Sequence, residues 1–145
     1  MDTKYKSRIE FGKESEELAV KFLRKNGYSI VARNLRLGRG EIDIIATIDD
    51  IICFIEVKAS SSIEHGLPEE QVGFQKQRQL IKLAKMFLQR NPEFMKNFDS
   101  RFDVIGISKK AVFQRTKSLK TNPPKTNPPK TENTLSHIID AFRLT

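Results

Sequence analysis

Glu41, Asp43, Glu56 and Lys58 interrupt an otherwise apolar pattern in the stretch GEIDIIATIDDIICFIEVK, residues 40–58. The Asp49-Asp50 pair at its centre reads as the turn of a hairpin. With the turn centred between those two residues, opposed positions have numbers that sum to 99. Asp43 then faces Glu56, Glu41 faces Lys58 and Ile45 faces Phe54, and strand alternation puts all six on one side of the sheet. The other side receives Ile42 with Val57, Ile44 with Ile55, and Ala46 with Cys53, and so must lie on the core. Asp-Asp is not a preferred two-residue turn, but a four-residue loop with the same centre preserves this pairing.

Like charges directly opposed across two strands repel. Asp43 against Glu56 therefore calls for something positive between them, either Lys58 or a divalent cation. Hard cations such as Mg²⁺ take one or two protein carboxylates and otherwise keep water and substrate phosphates. The competing arrangement is an ordinary Glu41–Lys58 ion pair, with Asp43 and Glu56 at a solvent-facing edge.

The elements that must position these residues follow from periodicity. Residues 8–26 predict a helix with Leu18, Ala19, Phe22 and Leu23 on one stripe and Asn26-Gly27 as its stop. Glu16 borders that stripe, three, four and seven residues before Ala19, Val20 and Leu23. YSIVARNL (28–35) predicts a strand, followed by the basic turn RLGRG. ASSSIEHGLP (59–68) reads as a polar loop, and Pro68 with Glu69 and Glu70 as the start of a second helix over 69–90. Lys76 shares that helix's face with Leu80, Leu83, Ala84 and Phe87. RFDVIGIS (101–108) predicts a strand apolar on both faces, and AVFQR (111–115) a short edge strand. TNPPKTNPPKT (121–131) repeats Thr-Asn-Pro-Pro-Lys and reads as an extended, solvated linker. LSHIIDAFRL (135–144) regains apolar character. The expectation is a core domain over 1–116, a linker or insertion over 117–133 and a docking element over 134–145. The fold class is α/β, helices around a mixed sheet.

The chain has 145 residues and a net charge of +8, yet residues 41–58 hold five acidic residues against one basic, a net −4. An acidic centre inside a basic chain suits a metal site beside a polyanion such as nucleic acid. No run approaches a membrane span, and the charged start does not suit a secretory signal. One cysteine, Cys53, excludes an internal disulfide framework and suits a reducing compartment, so a cytoplasmic protein is expected. Cys53 faces the core and reads as packing. His65 and His137 are isolated, too few for a zinc cluster. No phosphate-cradling G-x-x-x-x-G-K loop is present. Asp103 beside Arg101 reads as a structural pair.

Asp43, twelve residues, then Glu56-Val57-Lys58 resembles the D…(D/E)-x-K signature of restriction-endonuclease-like nucleases. Across most of its length the chain resembles the YraN-like family of small bacterial proteins, whose fold is similar to that of archaeal Holliday-junction resolvases. The matching pieces are ESEELA (14–19), NGYSIVARNLR (26–36), GEIDIIA (40–46), FIEVKAS (54–60), Lys76, RFDVIGI (101–107) and AF (141–142). Two departures are Ser15, where a glycine is expected, and the Pro-Pro repeat.

The resemblance implies a restriction-endonuclease-like three-layer sandwich. It also implies a metal-dependent endonuclease-like hydrolase, structure-selective on DNA more than RNA. Asp43 and Glu56 would hold one or two Mg²⁺ or Mn²⁺ ions, with the Val57 carbonyl as a further ligand. Lys58 would orient the attacking water or stabilise the phosphate. A helical Glu16 would complete the site, its alternative being a surface carboxylate. Lys76 would contact phosphate, its alternative being a lysine snorkelling from the apolar stripe. Arg33, Arg36 and Arg39 are candidates for backbone-phosphate contacts, and Glu41 for a supporting carboxylate or the partner of Lys58. Related resolvases act as dimers, which makes a homodimer a further expectation. The rival expectations are a nucleic-acid-binding module with little turnover and an adaptor acting through the Pro-rich segment.

Overall fold

The computed structural model describes residues 2–60, 72–112 and 130–143. His65, the polar loop, the expected helix start at Pro68, residues 113–115 of the expected edge strand and almost all of the Pro-rich repeat lie outside these residues.

The first helix, α1, spans Thr3–Lys25. The Asp2 carboxylate caps it by accepting the Lys4 N–H at 3.0 Å. It starts five residues before the apolar periodicity does, because residues 2–10 are all exposed and carry no stripe to announce the helix. Its end is a Schellman motif: Gly27 sits at φ 87°, Tyr28 N–H donates to Leu23 C=O and Gly27 N–H to Arg24 C=O. That left-handed position is why Asn26-Gly27 reads as a stop.

Strands β1 (Ser29–Leu37), β2 (Gly40–Ile48) and β3 (Ile51–Ser60) form an antiparallel meander. Helices α2 (Phe74–Arg90) and α3 (Pro92–Asn97) then carry the chain across to β4 (Asp99–Val112), which pairs parallel to β3. Strand β5 (Lys130–Phe142) adds antiparallel to β4, giving the order β1-β2-β3-β4-β5. It begins at Lys130, inside the segment expected to be linker.

The sheet is covered on both faces. Ile44, Ala46, Cys53, Ile55, Ile105 and Ile107 pack with Ala19, Val20 and Leu23 of α1. Ile42, Ile45, Ile52, Phe54 and Phe102 pack with Leu80, Leu83, Ala84, Phe87 and Leu88 of α2. Each fully buried Ile, Leu, Val or Phe side chain here is worth about 1.5–3 kcal/mol of transfer free energy. The result is a mixed α/β architecture with helices flanking a mixed sheet.

The hairpin pairing has the expected sum of 99 from Ile48↔Ile51 to Ile44↔Ile55. Two expectations for its faces need correction. The face carrying Ile45 and Phe54 is as deeply buried as the other, because α2 lies on it. Ile42 joins the α2 side, whereas Ile44 joins the α1 side. Since Ile45 also faces α2, the period-two alternation slips once between residues 42 and 45. The partner strand slips with it. Arg33 pairs with Ile44 and Leu35 with Ile42, and between them Asn34 takes φ 49°.

A buried polar network pins the C-terminal strand. Asp103 is fully buried and accepts Arg101 Nε and Nη2, each at 2.9 Å, and the Asp140 N–H at 3.0 Å. His137 Nε2 lies 2.9 Å from Asp103 Oδ2, and Arg101 Nη2 donates to the Tyr28 hydroxyl at 2.8 Å. Arg101 and Asp103 thus form the expected pair. His137 is not isolated, and the correction is physical: β5 returns along β4 and delivers the ring to Asp103. Burial pushes the Asp103 carboxyl up, but the bonds from His137, Arg101 and the Asp140 N–H outweigh it and hold it below its ordinary value.

Candidate metal centre

Strands β2 and β3 bring Asp43 and Glu56 together at the end of the hairpin away from its turn. The Asp43 Oδ2 accepts the Val57 N–H at 2.8 Å. A strand residue directs its N–H and C=O to the same side, so the Val57 carbonyl also turns toward β2. There the last paired rung is Ile44↔Ile55.

The slip in β2 decides which helix Asp43 meets. With Ile42 turned to α2, Glu41 and Asp43 turn to α1, where Glu16 waits. One carboxylate oxygen from each of Glu16, Glu41 and Asp43 lies within 4.8 Å of the other two. All three side chains are half-buried. Glu16 is therefore not a solvent-facing carboxylate of the outer helix surface. Burial raises its pKa, opposed by a hydrogen bond from the Asn34 side chain, with Asp43 and Glu41 adding to the rise. Asn34, whose left-handed backbone sits at the slip, lies within the NGYSIVARNLR piece but is not among the residues expected at the site. Its signal is an Asn within a strand pattern, a residue that tolerates positive φ.

Glu56 faces the other way, toward α2, and is 5% exposed. Its Oε1 lies 3.7 Å from both Lys58 Nζ and Lys76 Nζ. Its Oε2 is buried and meets no hydrogen-bond donor among the described residues. Asp43 feels this neighbour. Burial, and then the charge of Glu56, push its carboxyl up to about 7, with a hydrogen bond to Glu56 adding to the rise, while the Val57 N–H and Lys76 pull it down. Asp43 thereby belongs to both groups, the Glu16–Glu41 side and the Glu56–lysine side.

Glu41 does not pair with Lys58, because the β2–β3 ladder has ended before that rung. Its Oε2 lies instead 3.5 Å from Arg36 Nε, its β1 neighbour. Arg33 Nη2 lies 2.6 Å from Glu17 Oε1 on α1. Arg39 is exposed in the β1–β2 turn. Lys76 sits in the first turn of α2 and reaches across to Glu56. Cys53 is fully buried, and burial with Asp103 nearby pushes its thiol up to about 12, so it is no nucleophile near neutrality.

Glu16, Glu41 and Asp43 cluster as hard oxygen donors of the kind that suit Mg²⁺ or Mn²⁺, and Glu56 lies outside that cluster, beside Asp43. The buried Glu56 Oε2, with no hydrogen-bond partner among the described residues, and the elevated Asp43 carboxyl are what a cation in this position would relieve. No helix among the described residues is long and apolar enough to cross a membrane.

Comparison with known proteins gives one consistent family. A UPF0102 protein of Natranaerobius thermophilus is 48% identical over 97 residues, 66% of this chain and 81% of that protein. One from Chloroherpeton thalassium is 44% identical over 101 residues, covering 70% and 77%. One from Chlorobium limicola is 40% identical over 136 residues, covering 90% of each chain. The family profile itself matches residues 15–107, the span from Ser15 to Ile107 that carries α1's buried stripe, the hairpin acids and the start of β4. On this match the chain belongs to the uncharacterised protein family UPF0102.

Proposed function

We propose that this protein is a metal-dependent nucleic-acid phosphodiesterase built on a restriction-endonuclease-like fold, acting on DNA in preference to RNA. The observation that carries this reading is the Glu56 carboxylate. It is 5% exposed, one of its oxygens meets no donor among the described residues, and it stands beside Asp43 with two lysines at its other oxygen. Leaving a buried carboxylate oxygen unsatisfied costs about 1–3 kcal/mol or more, a penalty that a bound cation removes.

Asp43 and Glu56 would hold the ion, with Glu16 and Glu41 extending the donor set toward α1 and the Val57 carbonyl directed to the same place. Bound there, Mg²⁺ or Mn²⁺ supplies neutralising charge for a phosphodiester and lowers the pKa of a coordinated water. Lys58 and Lys76 bring two ammonium groups to the Glu56 carboxylate, where they would meet a phosphodiester bound at the site. They favour the extra negative charge of a pentacoordinate phosphate, and Lys58 can orient the attacking water.

The test is cleavage of labelled single-strand, duplex, flap and four-way-junction DNA in Mg²⁺, Mn²⁺ or EDTA. Asp43→Ala and Glu56→Ala should abolish cleavage while leaving the fold intact by circular dichroism. Undiminished cleavage in both variants discards the assignment.

One observation favours a second reading. Lys58 and Lys76 both approach the same Glu56 oxygen, so the chain's own cations partly neutralise that acid. A nucleic-acid-binding module with little turnover would have this property. It predicts salt-sensitive binding with no metal-dependent product at any protein concentration.

A further inference from the structure

Helix α2 has two unlike sides. Leu80, Leu83, Ala84 and Phe87 face the sheet, whereas Phe74, Arg78, Lys82, Lys85 and Gln89 recur every three or four residues along the outer side. That spacing puts them on one face. They line a groove of about 500 Å³ together with Arg143 from the segment after β5.

The groove's chemistry is one-sided. Arg78, Lys82, Lys85 and Arg143 contribute four cations, and no acidic side chain lines it among the described residues. Arg143 is held by Asp140, at 2.6 Å from Nη2 and 2.9 Å from Nε to the same oxygen. Arg78, Lys82 and Lys85 stand along the helix at axial intervals of about 6 Å and 4.5 Å, from a rise of about 1.5 Å per residue. At the helix start Phe74 is 72% exposed, a large apolar area to leave in water. The Arg78 guanidinium lies over its ring, 5.7 Å from the centroid. Two residues further along is Lys76, which reaches Glu56. Phe74 and Lys76 thus share the first turn of α2, one lining the groove and the other reaching the acidic centre.

We propose that this groove binds a single-stranded segment of nucleic acid, one base stacking on Phe74 and successive phosphates meeting Arg78, Lys82 and Lys85. The inference rests on the nucleic-acid reading above and adds to it a path for the strand outside the acidic centre. Aromatic stacking combined with a line of cations is the chemistry that holds single strands without reading sequence. An anionic protein segment would use the cations, but only a nucleic acid carries a planar group beside every phosphate to meet Phe74. A duplex keeps its bases stacked inside and would leave Phe74 idle.

The experiment is fluorescence anisotropy with the full chain in EDTA, so that binding is read without cleavage. The probes are a labelled oligothymidylate, an oligouridylate and a blunt DNA duplex of equal length. Phe74→Ala should weaken oligothymidylate binding roughly 5- to 100-fold and leave the duplex nearly unchanged. Lys82→Ala with Lys85→Ala should reduce the salt slope by about 1.4, at about 0.7 per phosphate contact on a single strand. These side chains are exposed, so the melting temperature should not move. The oligouridylate tells whether the strand is DNA or RNA, and either one, weakened by Phe74→Ala, supports the groove. Unchanged binding in both variants, or equal losses for single strand and duplex, overturns it. Oligonucleotide binding that follows these expectations, with no cleavage in Mn²⁺, would sink the phosphodiesterase reading and leave the groove standing.

Discussion

Asp43 Oδ2 accepts the backbone N–H of Val57 at 2.8 Å, in the place where the next rung of the β2–β3 ladder would be. A side chain thus finishes the hairpin, and it fixes the carboxylate against the strand that carries Glu56. The same bond favours the charged form of Asp43, yet burial and Glu56 push the other way and win.

That competition sets the sign of a pH dependence. Asp43 is raised to about 7 in the folded protein, against about 3.9 in an unfolded chain. The unfolded state therefore gives up this proton first. The contribution of Asp43 to stability is whole below about pH 4 and is lost as pH rises through about 7. In EDTA the melting temperature should fall between about pH 5 and pH 8 more steeply for the wild type than for Asp43→Asn. Mn²⁺ added at the upper end should raise it for the wild type and little for the variant. Parallel pH profiles with and without Asp43 would show that this carboxyl does not set the dependence.

Asp103 should be the most sensitive polar position outside the acidic centre. Asp103→Asn leaves the half-buried Arg101 beside a neutral partner and disturbs the bonds from His137 and the Asp140 N–H. Breaking a buried pair in this way costs about 3–5 kcal/mol, readable by urea unfolding. A loss under about 1 kcal/mol would mean that solvent reaches the network and screens it.

Ser15 is fully buried, and its hydroxyl has no hydrogen-bond partner among the described residues. Ser15→Ala removes that unsatisfied group and improves helix propensity, so it should be neutral or stabilising by about 1 kcal/mol. Ser15→Gly should lose about 1 kcal/mol relative to alanine. A clear destabilisation by Ser15→Ala would show that the hydroxyl has a partner after all, such as a buried water.

Two glycines should respond oppositely to alanine. A Cβ on Gly40 would come 2.7 Å from Leu83 Cδ1 and 3.2 Å from Gln79 Nε2. Leu83 is itself buried in the α2 core, so Gly40→Ala should cost about 1–3 kcal/mol by overpacking. A Cβ on Gly12, inside α1, would have nothing within 4 Å. Gly12→Ala should stabilise by about 0.5–1 kcal/mol. Chemical denaturation of the two single variants checks both signs.

Much of this arrangement is legible in the chain because the residues concerned are near neighbours in sequence. The hairpin register follows from the positions of Ile44, Ala46, Cys53 and Ile55, since a slip of one would turn every side chain over. The stripes of α1 and α2 and the stop at Gly27 rest on equally local signals. The slip at Asp43 is hidden for a specific reason. Ile42, Ile44 and Ile45 are all apolar and both faces of the sheet are covered, so the pattern does not reveal which isoleucine faces which helix. Where Glu41 and Glu16 meet depends on that slip. The role of His137 is equally out of reach, because its partner Asp103 lies 34 residues away and the strand that delivers it begins at the end of the proline repeat. Helix α3 is six residues long, shorter than two turns, and leaves no periodic trace.

The parallel pairing of β3 and β4 has one further consequence. Both strands run toward the end of the sheet that holds Glu56 and Lys58, so the connection between them starts from that end, and α2 opens there with Lys76 in its first turn. A helix carries a macrodipole with roughly half a positive charge at its amino end. Gly73 gives α2 no side-chain cap, and its first turn contains no acidic residue. The backbone itself therefore adds positive potential beside the acids. That field favours an incoming anion, independently of any lysine.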